Sequence, residues 1–377
     1  MKVLHINSYY YSSRFYKNLY DEEIKNGLDI DVFVPVPYSF KETGFDFGQY
    51  TTVSRNHGKY DRYIFHLKHY KIYKDITRKY KIENYSIIHA HSLFSNGYIA
   101  MKLKQDYGVP YIVAVRDTDA NVFFRKMLYL RKTGINILKE ANKIVFLSKA
   151  YKDSVIGKYI PIDLREEIYS KAVVIPNGID KFWLKNTGKA KEIQERDRIK
   201  LLQVGVVSKR KNTPTTIKTV EILQNRGYEV DFTIVGRINN NSIYKQIKDK
   251  QFTKYISHVP KEELIEIYRE NDIFVMPSIT ETFGLVYAEA MSQGLPVIYT
   301  RSQGFDGQFE DGEVGYSVNC FDIEEIADRI ICILDNYNTI SKRAIKKSMK
   351  FDWNVLVDNY QRLYKNIFNN ENNDFSI

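Results

Sequence analysis

Cysteine and proline are scarce in this sequence, and no stretch stays apolar for long. Only Cys320, Cys332 and nine prolines occur among 377 residues. The two cysteines match no CxxC, zinc or redox spacing, so they read as free packed thiols of a reducing compartment. No run approaches the roughly 18 apolar residues that a membrane span needs. The opening Met1–Asn7 is interrupted by His5 and ends too soon for the apolar core of a secretion signal. The expected location is therefore the cytoplasm, or the inner face of the membrane as a peripheral protein. No Gly-x-Gly-x-x-Gly follows a first strand, which counts against a dinucleotide oxidoreductase. Serine-hydrolase and metalloprotease signatures are missing too.

What is present points to a globular chain of two domains. The length exceeds the roughly 250–300 residues at which a single core stops growing. Hydrophobic residues make up 44% and charged residues 27%, which excludes a disordered or fibrous chain. The 30 tyrosines, with many Lys, Ile and Asn, fit an AT-rich bacterial genome as well as a function. A net charge of +10 favours an anionic partner, with nucleic acid, anionic lipid and pyrophosphate all open. Residues 55–82 concentrate the excess: Arg55, Lys59, Arg62, Lys68, Lys71, Lys74, Arg78, Lys79 and Lys81 face only Asp61 and Asp75. Phe65, Ile72, Tyr73, Ile76 and Tyr80 fall there at helical spacing. The segment is either a solvated helix face or a membrane contact.

Short Val- and Ile-rich runs alternate with helix-like stretches, the pattern of a parallel sheet covered on both faces. One series comprises 3–7, 30–36, 87–91, 111–116, 143–148 and 173–176, with helices near 13–26, 95–107 and 121–140. Gly27 supplies the left-handed cap of the first helix. A second series comprises 201–205, 231–236, 274–278, 296–300 and 314–318, followed by helices at 323–337 and 351–368. The last carries Trp353, Leu356, Tyr360 and Tyr364. Residues 185–199 are polar and read as a linker. The fold class is α/β, with two doubly wound sheets: a domain at 1–180, a second at 181–350, and a terminal helix in 351–377 returning to the first. Such sheets bind ligands beyond the carboxyl ends of their strands, so two facing ones place a ligand in the cleft between them.

The chemistry concentrates after two strands of the second series. In Met276-Pro-Ser-Ile-Thr-Glu-Thr-Phe-Gly-Leu-Val-Tyr-Ala-Glu-Ala290, Glu281 and Glu289 stand eight apart, slightly over two helical turns. A helix beginning at Gly284 turns its first amides and Glu281 toward one opening, where a diphosphate accepts the amide hydrogens and Glu281 meets sugar hydroxyls. Leu202-Gln-Val-Gly-Val-Val-Ser-Lys-Arg-Lys-Asn212 reads as strand, glycine turn and basic loop, with Lys211 six residues after Gly205. His89-Ala-His91 lies on a strand, with one ring expected toward the core and the other toward the cleft, and neither with metal-ligand company. Asp117-Thr-Asp119 has the Asp-x-Asp form that elsewhere holds Mg²⁺ against a diphosphate.

The block from Ser278 through Glu289, Met291, Gly294, Pro296 and Val297 resembles the Ser-x-x-Glu-x-Phe-Gly…Glu-Ala-Met-x-x-Gly-x-Pro-Val signature of the family 4 (group 1) retaining glycosyltransferases of GT-B fold. Val235-Gly-Arg237, Val174–Asp180, His89–His91 and Val115–Asp119 extend the likeness. The resemblance implies that Glu281 holds the donor sugar's hydroxyls and Glu289 the nucleotide ribose. Phe283, Gly284 and Leu285 offer amides to the distal phosphate, with Thr282 beside them. Lys211 stabilises the leaving diphosphate, and Gly205, Arg210 and Arg237 complete the donor side. On the acceptor side it implies His91, Arg116 and Asp119. Val206 stands where an Arg commonly follows the glycine, with Lys209 or Arg210 as the replacement. Arg116 stands where most relatives carry His. Asn7-Ser-Tyr-Tyr10 replaces the usual glycine pair, and Gln303-Gly-Phe-Asp-Gly307 replaces a Gly-Gly-x-x-Glu type segment and bears on donor choice.

By the same resemblance the expected reaction is transfer of a hexosyl group from a nucleoside diphosphate sugar to a saccharide acceptor, polyprenyl-linked, with retention and without a metal or other cofactor. The setting is bacterial capsular or other surface polysaccharide synthesis. Residues 55–82 would contact an anionic membrane, and no nucleic acid is expected. Two rivals remain at this point: a sugar-nucleotide epimerase of the same fold, and a non-enzymatic polyanion binder.

Overall fold

The computed structural model describes residues 1–13, 15–41, 44–193 and 197–374. Strands β1–β7 are Lys2–Ile6, Asp29–Pro37, Thr51–His57, Ile87–Ala90, Tyr111–Ala114, Lys143–Phe146 and Ala172–Val174. Strands β8–β13 are Arg198–Val204, Glu229–Val235, Thr253–Ile256, Ile273–Val275, Val297–Thr300 and Gly315–Val318. Helices α1–α7 are Tyr16–Lys25, Phe65–Lys79, Gly97–Tyr107, Arg131–Glu140, Lys149–Tyr159, Ile162–Lys171 and Lys181–Lys185. Helices α8–α14 are Thr213–Asn225, Asn241–Lys248, Lys261–Glu270, Leu285–Ser292, Ile323–Asp335, Tyr337–Ser348 and Trp353–Asp374.

The chain divides into two compact units. The first comprises Met1–Leu147, Lys152–Pro176 and Trp353–Ile377; the second comprises Ser148–Tyr151 and Asn177–Asp352. Each holds one all-parallel sheet, ordered β3-β2-β1-β4-β5-β6-β7 in the first and β10-β9-β8-β11-β12-β13 in the second. Both orders reverse direction beside the unit's own first strand, the switch point at which open α/β sheets leave a crevice for ligands. Central strands β4 and β5 are buried along their whole length, as a sheet covered on both faces requires.

Local chemistry sets the helix ends. After α1, Gly27 takes φ +79°, and Leu28 N–H reaches back to Glu23 C=O at 3.0 Å, closing the helix in the Schellman manner. Along α14, Trp353, Leu356, Val357, Tyr360, Leu363, Tyr364 and Ile367 recur at three-to-four spacing and all join the core of the first unit. Each such buried large side chain contributes about 1.5–3 kcal/mol.

Several expectations are corrected. Edge strands β3 and β10 go unannounced by the sequence, because Thr51–His57 and Thr253–Ile256 are polar and only partly buried. The segment 55–82 is consequently not one helix: its start lies in β3, a 3₁₀ turn occupies Asp61–Tyr63, and α2 follows. The buried stripe of α2 is Phe65, His69, Ile72 and Ile76; Tyr73 instead donates to the Asp106 carboxylate at 2.5 Å. The helix expected at 121–140 is broken into a π-helical turn at Asp119–Phe124, a 3₁₀ turn at Leu128–Leu130 and α4. The linker expected at 185–199 begins inside α7 and then packs on the second unit. Gly188 N–H donates to Ser292 C=O at 2.9 Å, and Lys191 N–H to Ser341 Oγ at 2.9 Å. Its residues 194–196 lie outside the described chain.

Candidate active site

Four loops leave the carboxyl ends of β8, β9, β11 and β12 in the second unit. After β8, Gly205 adopts φ +149°, and a Cβ there would come within 3.3 Å of Lys211 Cε. Gly236, after β9, is tighter: its Cβ would lie 2.0 Å from Gly205 O. Gly205 thus leaves the room in which the Lys211 stem lies, and Gly236 lets the two loop backbones approach each other. A 3₁₀ turn at Lys209–Lys211 ends in Asn212, which adopts the left-handed φ of 57°. Its amide nitrogen donates to Pro277 C=O at 3.0 Å and Cys320 C=O at 2.6 Å. Gln203 Nε2 donates to Lys211 C=O at 3.2 Å. The sequence pattern contains Asn212 and Gln203 but gives neither a role, since their partners are distant or backbone atoms.

Lys211 and Glu281 meet as a buried ion pair, Nζ to Oε2 2.5 Å, with 8% and 7% of their side chains exposed. Burial pushes the Lys211 ammonium down, while Glu281 beside it acts in the opposite direction. Arg210 donates to Thr280 C=O at 3.0 Å and reaches Glu281 Oε1 at 3.4 Å. Of the two candidates to replace the missing arginine, Arg210 joins this cluster. Lys209 is exposed, and so is Val206. Ser278 Oγ lies 3.4 Å from Glu281 Oε2, and Thr282 N–H donates to Oε1 at 3.2 Å.

Helix α11 begins immediately after Gly284, whose φ of +80° and a would-be Cβ only 2.4 Å from the Tyr287 ring make glycine the fitting residue. Tyr287 N–H turns back to Gly284 C=O at 3.0 Å, and the Leu285 and Val286 amides before it lack intrahelical acceptors by geometry. Phe283 is buried against Phe305 and Phe351, while Thr282 and Leu285 are half-buried. Glu289 accepts from the Tyr268 hydroxyl at 3.3 Å, and burial pushes its carboxyl up to about 7. Arg237 is exposed; its carbonyl accepts from Val207 N–H at 2.9 Å, fixing it beside the Gly205 loop.

The candidates of the first unit have a different character. Asp119 is fully buried, and its carboxylate accepts from the backbone N–H of Leu93, Phe94 and Arg116 at 3.0, 3.1 and 2.8 Å. Burial pushes it up to about 6 against the pull of those three bonds. A carboxylate engaged in this way organises the loops after β4 and β5; Asp117-Thr-Asp119 is not a free metal clamp. Arg116 is buried, and its Nε donates to His91 C=O at 3.1 Å.

The expected split of His89 and His91 does not occur, because residues two apart along an extended chain point to the same face: the two rings stack, centroids 4.0 Å apart, and both are fully buried. They also have company, since ligand atoms of His5, His89 and His91 lie within 4.8 Å of one another. Hydrogen bonds organise the cluster, His5 Nδ1 with His91 Nε2 at 3.0 Å and His89 Nδ1 with Tyr364 Oη at 2.7 Å, while His5 Nε2 lies 3.1 Å from Glu23 Oε2 without hydrogen-bond geometry. Tyr364 in turn donates to Glu23 at 3.2 Å. Stacked rings carry their in-plane lone pairs side by side, whereas a shared ion needs them to converge. Burial and mutual repulsion hold His89 and His91 well below the usual imidazole range.

Comparison with known proteins agrees with this geometry. The model described as Glycosyltransferase Family 4 matches residues 12–181, and that described as Glycosyl transferases group 1 matches residues 185–351. A 41.2 kDa protein of the cps region of Klebsiella pneumoniae is 27% identical over 307 residues, 77% of this chain and 81% of that protein. Among solved structures, sucrose-phosphate synthase from Thermosynechococcus elongatus superposes with a TM-score of 0.73 at 17% identity, over 98% of this chain and 99% of that one. The Anabaena protein HepE, in complex with UDP and glucose, gives 0.65 at 16% identity over 97% and 99%. The fold is GT-B, and with two family models that together span most of its length, the chain belongs to the family 4 (group 1) glycosyltransferases.

Proposed function

We propose that this glycosyltransferase moves a hexosyl group from a nucleoside diphosphate sugar to a saccharide hydroxyl, with retention at the anomeric carbon and without a metal. The observation that carries the reading is the buried Lys211–Glu281 pair beside the N-terminus of α11. An ammonium has three donors and Glu281 takes one. The others are free to meet the oxygen on which charge develops as the glycosidic bond to phosphate breaks, and the α11 amides add to that stabilisation. Glu281 orients the sugar through its hydroxyls, and Glu289 receives the ribose. Electrostatic support of a leaving group needs no enzymic nucleophile. The engagement of Asp119 by backbone amides supports metal independence. The solved complex of HepE with UDP and glucose supports a nucleotide-sugar donor.

The acceptor in this reading is a polyprenyl-linked glycan of bacterial surface polysaccharide synthesis, handled by residues 1–180, with residues 181–350 holding the donor. The cps-region relative supports that setting. No helix among the described residues is long and apolar enough to cross a membrane. Contact with an anionic inner leaflet would therefore be peripheral, through exposed Tyr60, Tyr63, Ile64, Leu67 and Tyr70 with the lysines around them. Nucleic acid is not a partner in this reading. The test is incubation of the full chain with UDP- and GDP-hexoses, with and without lipid-linked acceptor and with excess chelator. Acceptor-dependent release of nucleoside diphosphate, unaffected by chelator and giving a product of retained configuration by NMR, is expected. Isomerisation of the donor without acceptor would instead make the protein an epimerase. Equal pelleting with neutral and anionic liposomes, or none with either, would defeat the membrane contact.

A further inference from the structure

The loop after β12, which the sequence singled out as a departure from its relatives that bears on donor choice, grips the loop that carries Glu281. Strands β11 and β12 are hydrogen-bonded neighbours, so their exit loops run side by side. Glu281 N–H donates to Gln303 Oε1 at 2.9 Å, and Gly304 N–H donates to Glu281 C=O at 2.9 Å. Both backbone polar groups of Glu281 are thus held by two consecutive residues. Because an N–H is the donor, the side-chain atom facing it must be the Gln303 oxygen.

The loop is built for this approach. A Cβ on Gly304 would stand 1.9 Å from Thr282 O, so only glycine lets the two backbones come this close. Ser302 sits at φ 63° and donates its N–H to Asp306 Oδ2 at 2.6 Å, while Asp306 N–H donates to Gln303 C=O at 3.0 Å. This turn aims Gln303 at Glu281. Thr300 Oγ1 to Ser278 C=O at 2.7 Å closes the base of the two loops. Phe305, buried against Phe283, Tyr287 and Tyr299, anchors the loop in the core.

We propose that Gln303 and Gly304 form a two-point clamp on the Glu281 backbone, and that Gln303 is a positioning residue for recognition of the donor's sugar. The second half rests on Glu281 reading sugar hydroxyls. With its backbone held by the clamp, Glu281 starts from a fixed point, and its carboxylate reaches Lys211 and Arg210 from there. Without it, an unpaired amide must find another partner and the carboxylate loses its aim, a loss that falls on the sugar and not on the nucleotide.

The clamp is read without any ligand by hydrogen exchange of the 276–284 peptide in the full chain. Gln303→Met keeps the volume but removes the acceptor, and should speed exchange there. Gln303→Glu keeps an acceptor oxygen at the same reach and should exchange like the parent. Unchanged exchange in Gln303→Met overturns the clamp. Its consequence is read by calorimetric titration with the UDP- or GDP-hexose that the parent binds best, and with the matching bare diphosphate. Gln303→Met should weaken the nucleotide sugar roughly tenfold and lower kcat, leave the bare diphosphate within about twofold, and be largely rescued in Gln303→Glu. An equal loss for both ligands, or none, overturns the positioning role. If the parent binds no member of the panel, the donor reading fails instead, and exchange still decides the clamp.

Discussion

The two units share a strand order but use the carboxyl ends of their strands in opposite ways. In the second unit, Lys211 and Arg210 on the loop after β8 meet Glu281 on the loop after β11 in one charged cluster, and Glu289 on α11 accepts from Tyr268. In the first, the corresponding polar residues are turned inward: Asp119 caps backbone amides, Arg116 binds a carbonyl, and three histidines pack with Glu23 and Tyr364. A polar motif after a strand is thus either a site or internal scaffolding, and only the partners of its atoms distinguish the two.

The largest expected effect tests the second unit. Lys211→Ala should lower kcat by about 10²–10³-fold, far more than folding suffers: circular dichroism stays near that of the parent, and the melting temperature falls only by what leaving the buried Glu281 carboxylate without its main partner costs. Full activity in that variant would remove the centre of the proposed site.

Asp119→Ala should do the reverse. It strips the acceptor from three buried amides, each costing about 1–3 kcal/mol when left unpaired. The first unit should melt several degrees earlier, while nucleotide-sugar binding by the second persists. Asp119→Asn, which keeps one oxygen, should fall between. A stable Asp119→Ala chain defective only in turnover would return Asp119 to the acceptor site.

Acid should separate the units next. Six of the seven histidines lie in the first unit and only His258 in the second. Burial pushes His57 down to about 4 and His69 to about 3, and holds His89 and His91 lower than usual too. The unfolded chain protonates these rings near pH 6.5 and the folded chain does not. Their contribution is therefore complete above 6.5 and lost as pH falls toward 4, at about 1.4 kcal/mol per pH unit for each. Asp119, raised to about 6, opposes this within the same window as one group against four. Glu289, raised to about 7, makes the second unit gain as pH falls from 7 toward 4.5. Each unit holds one tryptophan, Trp353 in the first and Trp183 in the second. Urea unfolding followed by fluorescence in Trp183→Phe and Trp353→Phe should show the first unit weakening between pH 6.5 and 4.5 and the second not. Coincident curves would break the comparison.

The smallest effect concerns ligand affinity. If the Glu289 carboxylate accepts from the ribose, nucleotide affinity should rise several-fold between about pH 6 and 8, as the group held near 7 ionises. The substitution Glu289→Gln, which removes the titrating group, should flatten that rise. A parent affinity independent of pH would assign the ribose to another group.

Legibility followed burial. Central strands such as Ile87–Ala90 and Tyr111–Ala114 announce themselves as unbroken apolar runs, because both of their faces are covered. Edge strands Thr51–His57 and Thr253–Ile256 do not, since a strand with one open side carries polar residues that read as loop or helix. The Glu281 block is readable because its glycines, proline and spaced glutamates obey one local geometry. Gln303 carries no such signal, because its bond to Glu281 spans 22 positions of sequence.

The sequence by itself determined the two parallel sheets, the amphipathic last helix and the motif that marks the family, since periodicity, turn chemistry and local spacing act over a few residues. Only the tertiary structure decided that Lys211 pairs with Glu281 across 70 positions, that Gln303 and Gly304 hold Glu281, and that Asp119 and the histidines face inward. The reason is physical: the state of a buried polar group is set by which distant donor or acceptor packing brings within about 3 Å, and no local pattern encodes that partner.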